Sequence, residues 1–173
     1  MRILVTGGAG YIGSHAVRAL QRAGFSPVVL DNLVYGHREI VEKVLNVPLI
    51  IGNLGDRELL DCILSGRHNA LDGELVEAVL HFAAYAYVGE SMLDPQKYYR
   101  NNLGDSLVLL EAIKAESDRR CSSSIPIVFS STCATYGAPE SSHLPITEEC
   151  PQNPINPYGR SKLMVCLLYT SDA

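Results

Sequence analysis

The sequence lacks the features that mark several classes of protein. Its 173 residues carry a net charge of −5 and contain no block of lysine and arginine, which argues against nucleic acid or an anionic membrane as the main partner. No apolar run has the length of a transmembrane helix. Because Met1 leads directly into an apolar strand, without a charged lead-in or a cleavage site, we expect no signal peptide.

Cysteine and histidine show no functional spacing either. The five cysteines include no C-x-x-C pair and are odd in number, so we expect reduced thiols and a cytoplasmic protein. The five histidines show no metal-ligand spacing, and we therefore expect no metal site. What remains is an ordinary globular composition, with 47% hydrophobic and 19% charged residues, in a chain long enough for one α/β domain.

Short apolar strands alternate with helical patterns along the chain. The predicted strands are Arg2–Thr6, Pro27–Asp31, Pro48–Gly52, Val76–Phe82 and Pro126–Ser130. The predicted helices are Tyr11–Ala23, one ending near Leu45, one from the N-cap Asp56 to Leu64, one from Asp94-Pro95 to about Glu116 and one starting near Tyr158. This pattern predicts an α/β, Rossmann-type fold, in which a doubly wound parallel sheet has helices on both faces.

Three glycines at every third position lie between the first strand and the first helix. In this context Gly7 permits a tight turn, Gly10 leaves room for phosphates and Gly13 allows the helix and the strand to pack closely. Backbone N–H groups and the helix N-terminus would then face a pyrophosphate. The spacing is G-x-x-G-x-x-G rather than the commoner G-x-G-x-x-G, and a glycine-rich turn without a ligand is the alternative.

A second cofactor signal is Asp31, which ends the second strand 18 residues beyond Gly13. A carboxylate at this point can accept hydrogen bonds from the adenosine ribose hydroxyls, and it repels the 2′-phosphate of NADP. The sequence therefore favours NAD as the cofactor. The alternative is that Asp31 only caps the loop that follows the strand.

Tyr158 and Lys162 form a candidate catalytic pair, because an i, i+4 spacing places both side chains on one helix face. A phenol with its usual pKa of about 10 is a poor base at neutral pH, and a fixed cation nearby makes it a better one. The Tyr-x-x-x-Lys pattern often arises by chance, but its position after the fifth strand strengthens the hypothesis. Ser130, Ser131 and Thr132 leave that strand, and one of their hydroxyls is a candidate proton relay, with a polar turn as the alternative.

Seven segments together resemble the nucleotide-sugar 4-epimerases of the extended short-chain dehydrogenase/reductase family. They are Gly7–Gly13, Asp31–Leu33, His81–Ala84, Val88–Ser91, Tyr98–Asn102, Phe129–Gly137 and Pro154–Gly159. The resemblance implies a tightly held NAD, with Tyr158 as the catalytic base, Lys162 on the nicotinamide ribose and Thr132 aiding proton transfer. Thr132 and Tyr158 would also bind the substrate. It implies further cofactor contacts from Tyr11, Ile12, Asp31, Asn32, Asn53, Leu54, Phe82, Ala83, Ala84, Asn101 and Ser130.

The chain departs from that family at a few positions. Asn53 stands where the family commonly has an aspartate that holds the adenine, so the position keeps an acceptor but loses the charge. Asp105 replaces a small glycine, and Ala86 replaces a lysine that some members have. Beyond residue 165 the resemblance ends. We therefore predict an NAD-binding domain over residues 1–165 and a short tail over 166–173, truncated before the C-terminal substrate domain.

The resemblance implies a redox cycle that interconverts UDP-glucose and UDP-galactose through a transient 4-keto sugar, a reaction of galactose metabolism. It also implies a homodimer for the full-length protein. A dehydratase is disfavoured, because Cys133 and Ala134 stand where such enzymes carry carboxylates. A UDP-xylose/UDP-arabinose 4-epimerase has nearly the same motifs and stays open. For these 173 residues alone we expect no catalysis, and a non-catalytic NAD-binding module is the alternative.

Overall fold

The computed structural model describes residues 1–120 and 124–170, without the side chains of residues 169 and 170. The chain divides into two compact units. The first, the sheet unit, comprises Met1–Ala83 and Leu107–Ser130, and the second, the helical unit, comprises Ala84–Ser106 and Ser131–Ala173. Cys121 and the last three residues of the predicted tail lie outside the described residues. The predicted boundary at residue 165 stays a prediction.

A five-stranded parallel sheet is the framework of the sheet unit, in the order β3-β2-β1-β4-β5. The strands are β1 Arg2–Thr6, β2 Ser26–Asp31, β3 Leu49–Ile51, β4 Val76–His81 and β5 Ile127–Phe129. Thr6 at the end of β1 pairs with Leu30 of β2 and with His81 of β4. The chain reverses its direction of strand addition between β1 and β4, and open parallel sheets bind ligands beyond the carboxyl ends of strands at such a switch point.

Six α-helices lie within the described residues. They are α1 Tyr11–Arg22, α2 Arg57–Leu64, α3 Val88–Leu93, α4 Pro95–Tyr98, α5 Ser106–Arg120 and α6 Pro157–Thr170. Ile40–Leu45 and Tyr99–Asp105 are π-helical, and 3₁₀ turns cover Asn69–Leu71, Cys133–Thr135 and Ser141–His143. In the part of the chain that the structure describes, no helix is both long enough and apolar enough to cross a bilayer.

Alternate residues of the strands point into two hydrophobic cores. Leu4 of β1 and Leu30 of β2 pack in one core with apolar residues of α2 and α5. Val5 of β1 and Val29 of β2 pack in the other with α1 and the π-helical segment Ile40–Leu45. Because successive side chains of a strand point to opposite faces of the sheet, the two cores lie on its two faces. This arrangement confirms the predicted doubly wound, Rossmann-type fold.

Two predicted helix starts are confirmed by capping contacts. The side chain of Asp56 accepts a hydrogen bond from the backbone N–H of Leu59 at 3.0 Å, at the start of α2. Asp94 accepts one from the backbone N–H of Lys97 at 3.1 Å, at the start of α4, where Pro95 occupies the first turn. In both cases a side-chain oxygen satisfies a donor that the first helical turn leaves without an intrahelical partner.

The helix predicted from Pro95 to about Glu116 differs from the structure. The backbone is helical from α4 through α5, but it widens to π geometry over Tyr99–Asp105 between the two. Helix α3 is not predicted at all, because its six residues are too few to show a helical period. π-helical segments have no apolar signature of their own, and they occur frequently at functional sites.

Helix α6 is the central element of the helical unit. It packs against α3, α4, the π-helical segment Tyr99–Asp105 and the 3₁₀ turn Cys133–Thr135. Because Tyr158 and Lys162 both lie in the first half of α6, these neighbours surround the candidate catalytic pair.

Candidate functional site

The glycine turn after β1 brings three stretches of backbone close together. Gly7 has a φ of +72°, and a Cβ atom at this position would lie 2.6 Å from the backbone nitrogen of Ala83. A Cβ at Gly13 would overlap the carbonyl oxygen of Gly7 and lie 2.8 Å from the Cα of Gly8. A side chain at position 7 would therefore displace the residues that follow β4, and one at position 13 would displace the first turn of α1 from the glycine loop.

The N-terminus of α1 is left open at this turn. Gly10 is the N-cap residue, and no side chain caps the helix there. The next two side chains point outward, since Tyr11 is 83% and Ile12 60% exposed. An uncapped helix N-terminus carries N–H donors and a partial positive charge, which together suit a phosphate.

Asp31 is held at the end of β2, beside the same turn. One carboxylate oxygen accepts the backbone N–H of Ala9 at 3.0 Å, and the other accepts that of Leu33 at 2.9 Å. The side chain is buried, and a Cβ at Gly36 would lie 2.7 Å from its Oδ1. Since each carboxylate oxygen can accept about two hydrogen bonds, Asp31 caps the loop and still has acceptor capacity for a ligand hydroxyl.

The ends of β2 and β3 are joined by two amide side chains. Asn32 Nδ2 donates to Asn53 Oδ1 at 3.0 Å, while Asn32 Oδ1 accepts the backbone N–H of Val34 at 3.1 Å. Leu54 behaves differently from the sequence hypothesis, because its side chain is buried in the core that contains α2. Only the backbone of Leu54 is therefore available to a ligand, whereas the Asn53 side chain is exposed.

A buried polar pair beneath the turn was not identified from the sequence. Thr6 Oγ1 lies 2.7 Å from His81 Nδ1, and both side chains are fully buried. The backbone N–H of Phe82 donates to the Thr6 carbonyl at 3.0 Å, and that of Ser130 donates to the His81 carbonyl at 3.0 Å. These contacts fix the ends of β1, β4 and β5 at one edge of the sheet. The available sequence signal is Thr6 at the end of one predicted strand and His81 one residue before the end of another.

In this way the sheet unit collects most of the predicted cofactor residues at the carboxyl edge of its sheet. These are Gly7, Gly10, Tyr11, Ile12, Gly13, Asp31, Asn32, Asn53, Phe82, Ala83 and Ser130. Ala84, Asn101, Thr132, Tyr158 and Lys162 belong to the helical unit.

The candidate catalytic pair lies on the first turns of α6. Lys162 is buried, with 3% of its surface exposed, and this desolvation lowers the pKa of its ammonium to about 8, opposed by attraction to Cys166. Tyr158 is half-buried. Ser161, between the two, donates its hydroxyl to the carbonyl oxygen of Tyr158 at 2.7 Å. A buried ammonium one helical turn from a phenol can stabilise a phenolate more strongly than an exposed one, because water screens it less.

Asn102 holds this turn of α6 to the rest of the helical unit. Its Nδ2 donates to Ser161 Oγ at 3.1 Å and to the Tyr85 carbonyl at 3.0 Å, and its Oδ1 accepts the Tyr85 N–H at 2.8 Å. The neighbouring Asn101 donates to Asp105 at 3.1 Å. Burial raises the pKa of Asp105, and the bond from Asn101 opposes that shift. The sequence hypothesis included Asn101 but not Asn102, because nothing in the local pattern separates the two.

Thr132 has the local role that the alternative interpretation expected. It caps the 3₁₀ turn Cys133–Thr135 by accepting the Ala134 N–H at 3.2 Å. Its hydroxyl hydrogen is not used in that bond. The turn lies against α6, since a Cβ at Gly159 would be 2.5 Å from the Ala134 carbonyl oxygen. Among the described residues, no group of three or more histidine, cysteine, aspartate or glutamate side chains could hold a metal ion.

Comparison with known proteins assigns the family. Residues 3–171 match the NAD dependent epimerase/dehydratase family. The chain belongs to this family. It is 49% identical over 164 residues to a UDP-glucose 4-epimerase of Azospirillum brasilense, and the match covers 94% of this chain and 42% of that protein. It is 45% identical over 169 residues to the probable UDP-arabinose 4-epimerase 1 of Oryza sativa subsp. japonica, covering 94% of this chain and 37% of that protein.

Solved structures give the same family. A UDP-glucose 4-epimerase from Brucella ovis in complex with NAD superposes with a TM-score of 0.81 at 43% identity, over 99% of this chain and 48% of that one. A UDP-glucose 4-epimerase from Stenotrophomonas maltophila, with bound NAD and formylated UDP-arabinopyranose, superposes with a TM-score of 0.87 at 34% identity. The match covers 100% of this chain and 48% of that one. The chain thus spans less than half the length of these relatives. The family resemblance expected from the sequence is confirmed.

The name of this family covers epimerases and dehydratases. The two reactions differ in the acid–base groups that they need, and the helical unit contains the residues to compare. Elimination of water needs an additional acid–base group beside the tyrosine. The turn Cys133–Thr135 carries no carboxylate. In the same unit, Glu90 accepts hydrogen bonds from Lys97 at 2.6 Å and from the Tyr98 hydroxyl at 2.7 Å, so both of its oxygens are engaged. Neither the residues of that turn nor Glu90 therefore offers a free carboxylate for such a group.

Proposed function

We propose that the protein to which this chain belongs is an NAD-dependent 4-epimerase, an isomerase that interconverts UDP-glucose and UDP-galactose through a transient 4-keto sugar. The observation that carries the proposal is the buried Lys162, one helical turn after Tyr158 on a helix start that Ser161 holds. The family match and the bacterial relatives named UDP-glucose 4-epimerase support this reaction class.

The residues of the sheet unit fit NAD. The Gly7–Gly13 turn offers an uncapped helix N-terminus to the pyrophosphate, and Asp31 has lone pairs for the ribose hydroxyls beyond those bonded to Ala9 and Leu33. NAD bound by these residues would supply reversible hydride exchange with the sugar C4, so that no net oxidation occurs. The residues proposed to hold it are Gly7, Gly10, Tyr11, Ile12, Gly13, Asp31, Asn32, Asn53, Leu54, Phe82, Ala83, Ala84, Asn101, Ser130, Tyr158 and Lys162.

Proton transfer at the sugar hydroxyl falls to the helical unit. Tyr158 would take the proton from O4 and give it back after the hydride has returned. With a pKa of about 8, the Lys162 ammonium is still mostly protonated at neutral pH, and its charge would stabilise the phenolate form of Tyr158. Thr132 would bind the same hydroxyl and relay the proton, since capping its turn uses an acceptor and leaves the donor available.

A UDP-xylose/UDP-arabinose 4-epimerase is the second candidate. Plant relatives named UDP-arabinose 4-epimerase are 45% and 46% identical to this chain, close to the 49% and 45% of bacterial UDP-glucose 4-epimerases. Pentose and hexose differ at C5, so the same tyrosine and lysine would serve either sugar at C4. For the present chain alone, a non-catalytic NAD-binding module is the alternative, because it spans less than half of its relatives' length.

We also propose that the full-length protein is a homodimer in the cytoplasm. The dimer rests on the resemblance to the extended short-chain dehydrogenase/reductase family. The compartment is supported by the cysteines. Cys62, Cys133, Cys150 and Cys166 form no disulfide within the described part of the chain, and such thiols persist in a reducing compartment.

The test is an assay of the full-length protein with UDP-galactose and, separately, UDP-arabinose. UDP-glucose formation is followed with a UDP-glucose dehydrogenase, without added reductant for the epimerase. We expect turnover that falls by about 10²-fold or more in Tyr158→Phe, the size of a lost general base, and that is unchanged in the control Tyr35→Phe. Turnover of the pentose alone would assign the second candidate. Lack of turnover of either sugar by a folded, NAD-loaded protein would overturn the catalytic proposal.

A further inference from the structure

A second tyrosine lies against the candidate base. Tyr98, at the end of α4, has no exposed surface and is among the largest fully buried side chains of the chain. Its ring centroid is 6.5 Å from that of Tyr158, and the two ring planes are nearly perpendicular, at 82°. This edge-to-face arrangement is favourable for aromatic pairs, because the positive edge of one ring meets the negative face of the other.

The far end of Tyr98 is anchored by charged and backbone groups. Its hydroxyl donates to Glu90 Oε2 at 2.7 Å and accepts the backbone N–H of Tyr87 at 3.1 Å. The other oxygen of Glu90 accepts a hydrogen bond from Lys97 at 2.6 Å. Lys97 also lies 4.5 Å above the ring of Tyr85, which itself contacts the Tyr98 ring at 5.9 Å between centroids. Tyr98 therefore has little freedom to tilt or shift.

This anchoring also separates the roles of the two phenols. Tyr98 donates its hydroxyl hydrogen to the Glu90 carboxylate and accepts the backbone N–H of Tyr87, so its hydroxyl is engaged away from Tyr158 as both donor and acceptor. The carboxylate of Glu90, to which Tyr98 donates, pairs with Lys97 at 2.6 Å. The cation on the helix that carries Tyr158 is Lys162. Tyr98 thus contributes a fixed, neutral surface.

We propose that Tyr98, anchored through Glu90, is a positioning residue that holds the Tyr158 ring in its working orientation. The inference rests on the proposed function of Tyr158 as the base. A proton transfer requires the phenol oxygen within hydrogen-bond reach of the sugar hydroxyl, and a displacement of about 1 Å can cost on the order of 10²-fold in rate. The hydrogen bond from Ser161 holds the backbone of Tyr158, whereas Tyr98 contacts its ring.

Two substitutions in the full-length protein separate the ring contact from the anchor. Tyr98→Leu removes the ring, and we expect kcat for 4-epimerisation to fall by about 10- to 100-fold, with KM changed less than about threefold, because the fully buried Tyr98 offers no exposed surface to a substrate. Tyr98→Phe keeps the ring and loses the hydroxyl bonds to Glu90 and Tyr87, so we expect a kcat between those of Tyr98→Leu and the parent.

A stability-matched control and an activity-independent measurement complete the test. Val76→Ala, at a fully buried position of β4, should lower the midpoint of thermal unfolding without a comparable loss of kcat. Tyrosine ring NMR, assigned with Tyr158→Phe, reports the mobility of the Tyr158 ring directly, and the ring of Tyr158 should flip faster in Tyr98→Leu than in the parent and in Val76→Ala. An active parent protein whose kcat and Tyr158 ring-flip rate are both unchanged in Tyr98→Leu would overturn the inference. An inactive parent would instead refute the proposed function, and the ring-flip rate would still decide whether Tyr98 holds the Tyr158 ring.

Discussion

Asp31 shows how one residue can satisfy two interpretations that the sequence leaves as alternatives. Its carboxylate caps the loop after β2 through the N–H groups of Ala9 and Leu33. The same bonds fix its orientation, so the remaining lone pairs are preorganised for a ligand hydroxyl. The loop-capping role is therefore observed, while the selectivity for NAD stays a prediction.

We expect the full-length protein to bind NAD at least about tenfold more tightly than NADP, a difference of about 1.4 kcal/mol. The reason is repulsion between the fixed charge of Asp31 and a 2′-phosphate. Asp31→Ala should narrow the difference, and the control Asp118→Ala, at an exposed position of α5, should not. Isothermal titration calorimetry with both cofactors measures the effect. Equal affinities of the unmodified protein for NAD and NADP would contradict the prediction.

Lys162 gives a prediction for stability. Burial lowers the pKa of its ammonium from 10.5 to about 8, so between these pH values the unfolded chain binds more protons and the free energy of unfolding rises with pH. Below pH 8 the cost of the buried charge is fully present, on the order of 3 kcal/mol. We therefore expect Lys162→Met to be inactive but more stable than the parent at pH 7, with the difference shrinking toward pH 10.

Urea denaturation of the full-length protein at pH 7 and pH 10 measures this difference. Lys114→Met is the matched control, because the Lys114 side chain is 78% exposed and should change the free energy of unfolding by less than about 0.5 kcal/mol. A Lys162→Met variant that is less stable than the parent at pH 7, or whose difference does not depend on pH, would show that burial does not penalise the charge.

At the scale of elements, the turn that joins β1 to α1 depends on close approach of backbone atoms. We expect Gly13→Ala to lower the free energy of unfolding by about 1–3 kcal/mol, the usual cost of overpacking, because the new Cβ would overlap the Gly7 carbonyl oxygen. Gly104→Ala is the matched control in another helical segment. Its Cβ would have no neighbour closer than 3.9 Å, so it should be neutral or stabilising by up to about 1 kcal/mol.

Chemical denaturation of the two variants provides the comparison, and NAD titration of the folded Gly13→Ala protein adds a second readout. Equal stabilities of Gly13→Ala and Gly104→Ala would mean that the turn can relax at no cost. In that case close packing could not be the reason for a glycine at position 13.

Elements with a strong local signal were predicted from the sequence, and elements without one were not. β1 lies at its predicted bounds, and the N-caps Asp56 and Asp94 form as expected. The short helix α3 was missed, and the helix predicted through Tyr99–Asp105 has π geometry there. A run of six residues contains fewer than two helical turns, and a π-helical widening has no apolar period of its own.

At the scale of the whole molecule, we expect this chain alone not to catalyse epimerisation. It spans 42% of a curated UDP-glucose 4-epimerase, and catalysis requires the sugar C4 to be held in place, a contribution of up to about 7–11 kcal/mol to the barrier. The chain is expressed alone, its folding is checked by circular dichroism and both UDP-hexoses are assayed, with the full-length protein as control. Near-normal turnover by the folded chain would show that the substrate is positioned by these residues themselves.

The sequence by itself determined the fold class, the glycine turn and the candidate pair Tyr158 and Lys162. Each of these depends on local information, because strand and helix periods, turn glycines and an i, i+4 spacing are all contained within a few neighbouring residues. The family resemblance added the reaction and supported the cofactor that Asp31 indicates, and the comparisons confirm the family.

Only the tertiary structure decided what surrounds those residues. The Thr6–His81 pair, the bond from Asn102 to Ser161 and the Tyr98–Tyr158 contact join residues 75, 59 and 60 positions apart. Such contacts leave no periodic pattern, because they depend on which elements pack together and not on the residues adjacent in the chain. Burial acts in the same way. Lys162 is desolvated, and the Leu54 side chain is buried in the core, because other elements pack around them. Desolvation is a property of the folded structure and cannot be inferred from the neighbouring residues in the chain.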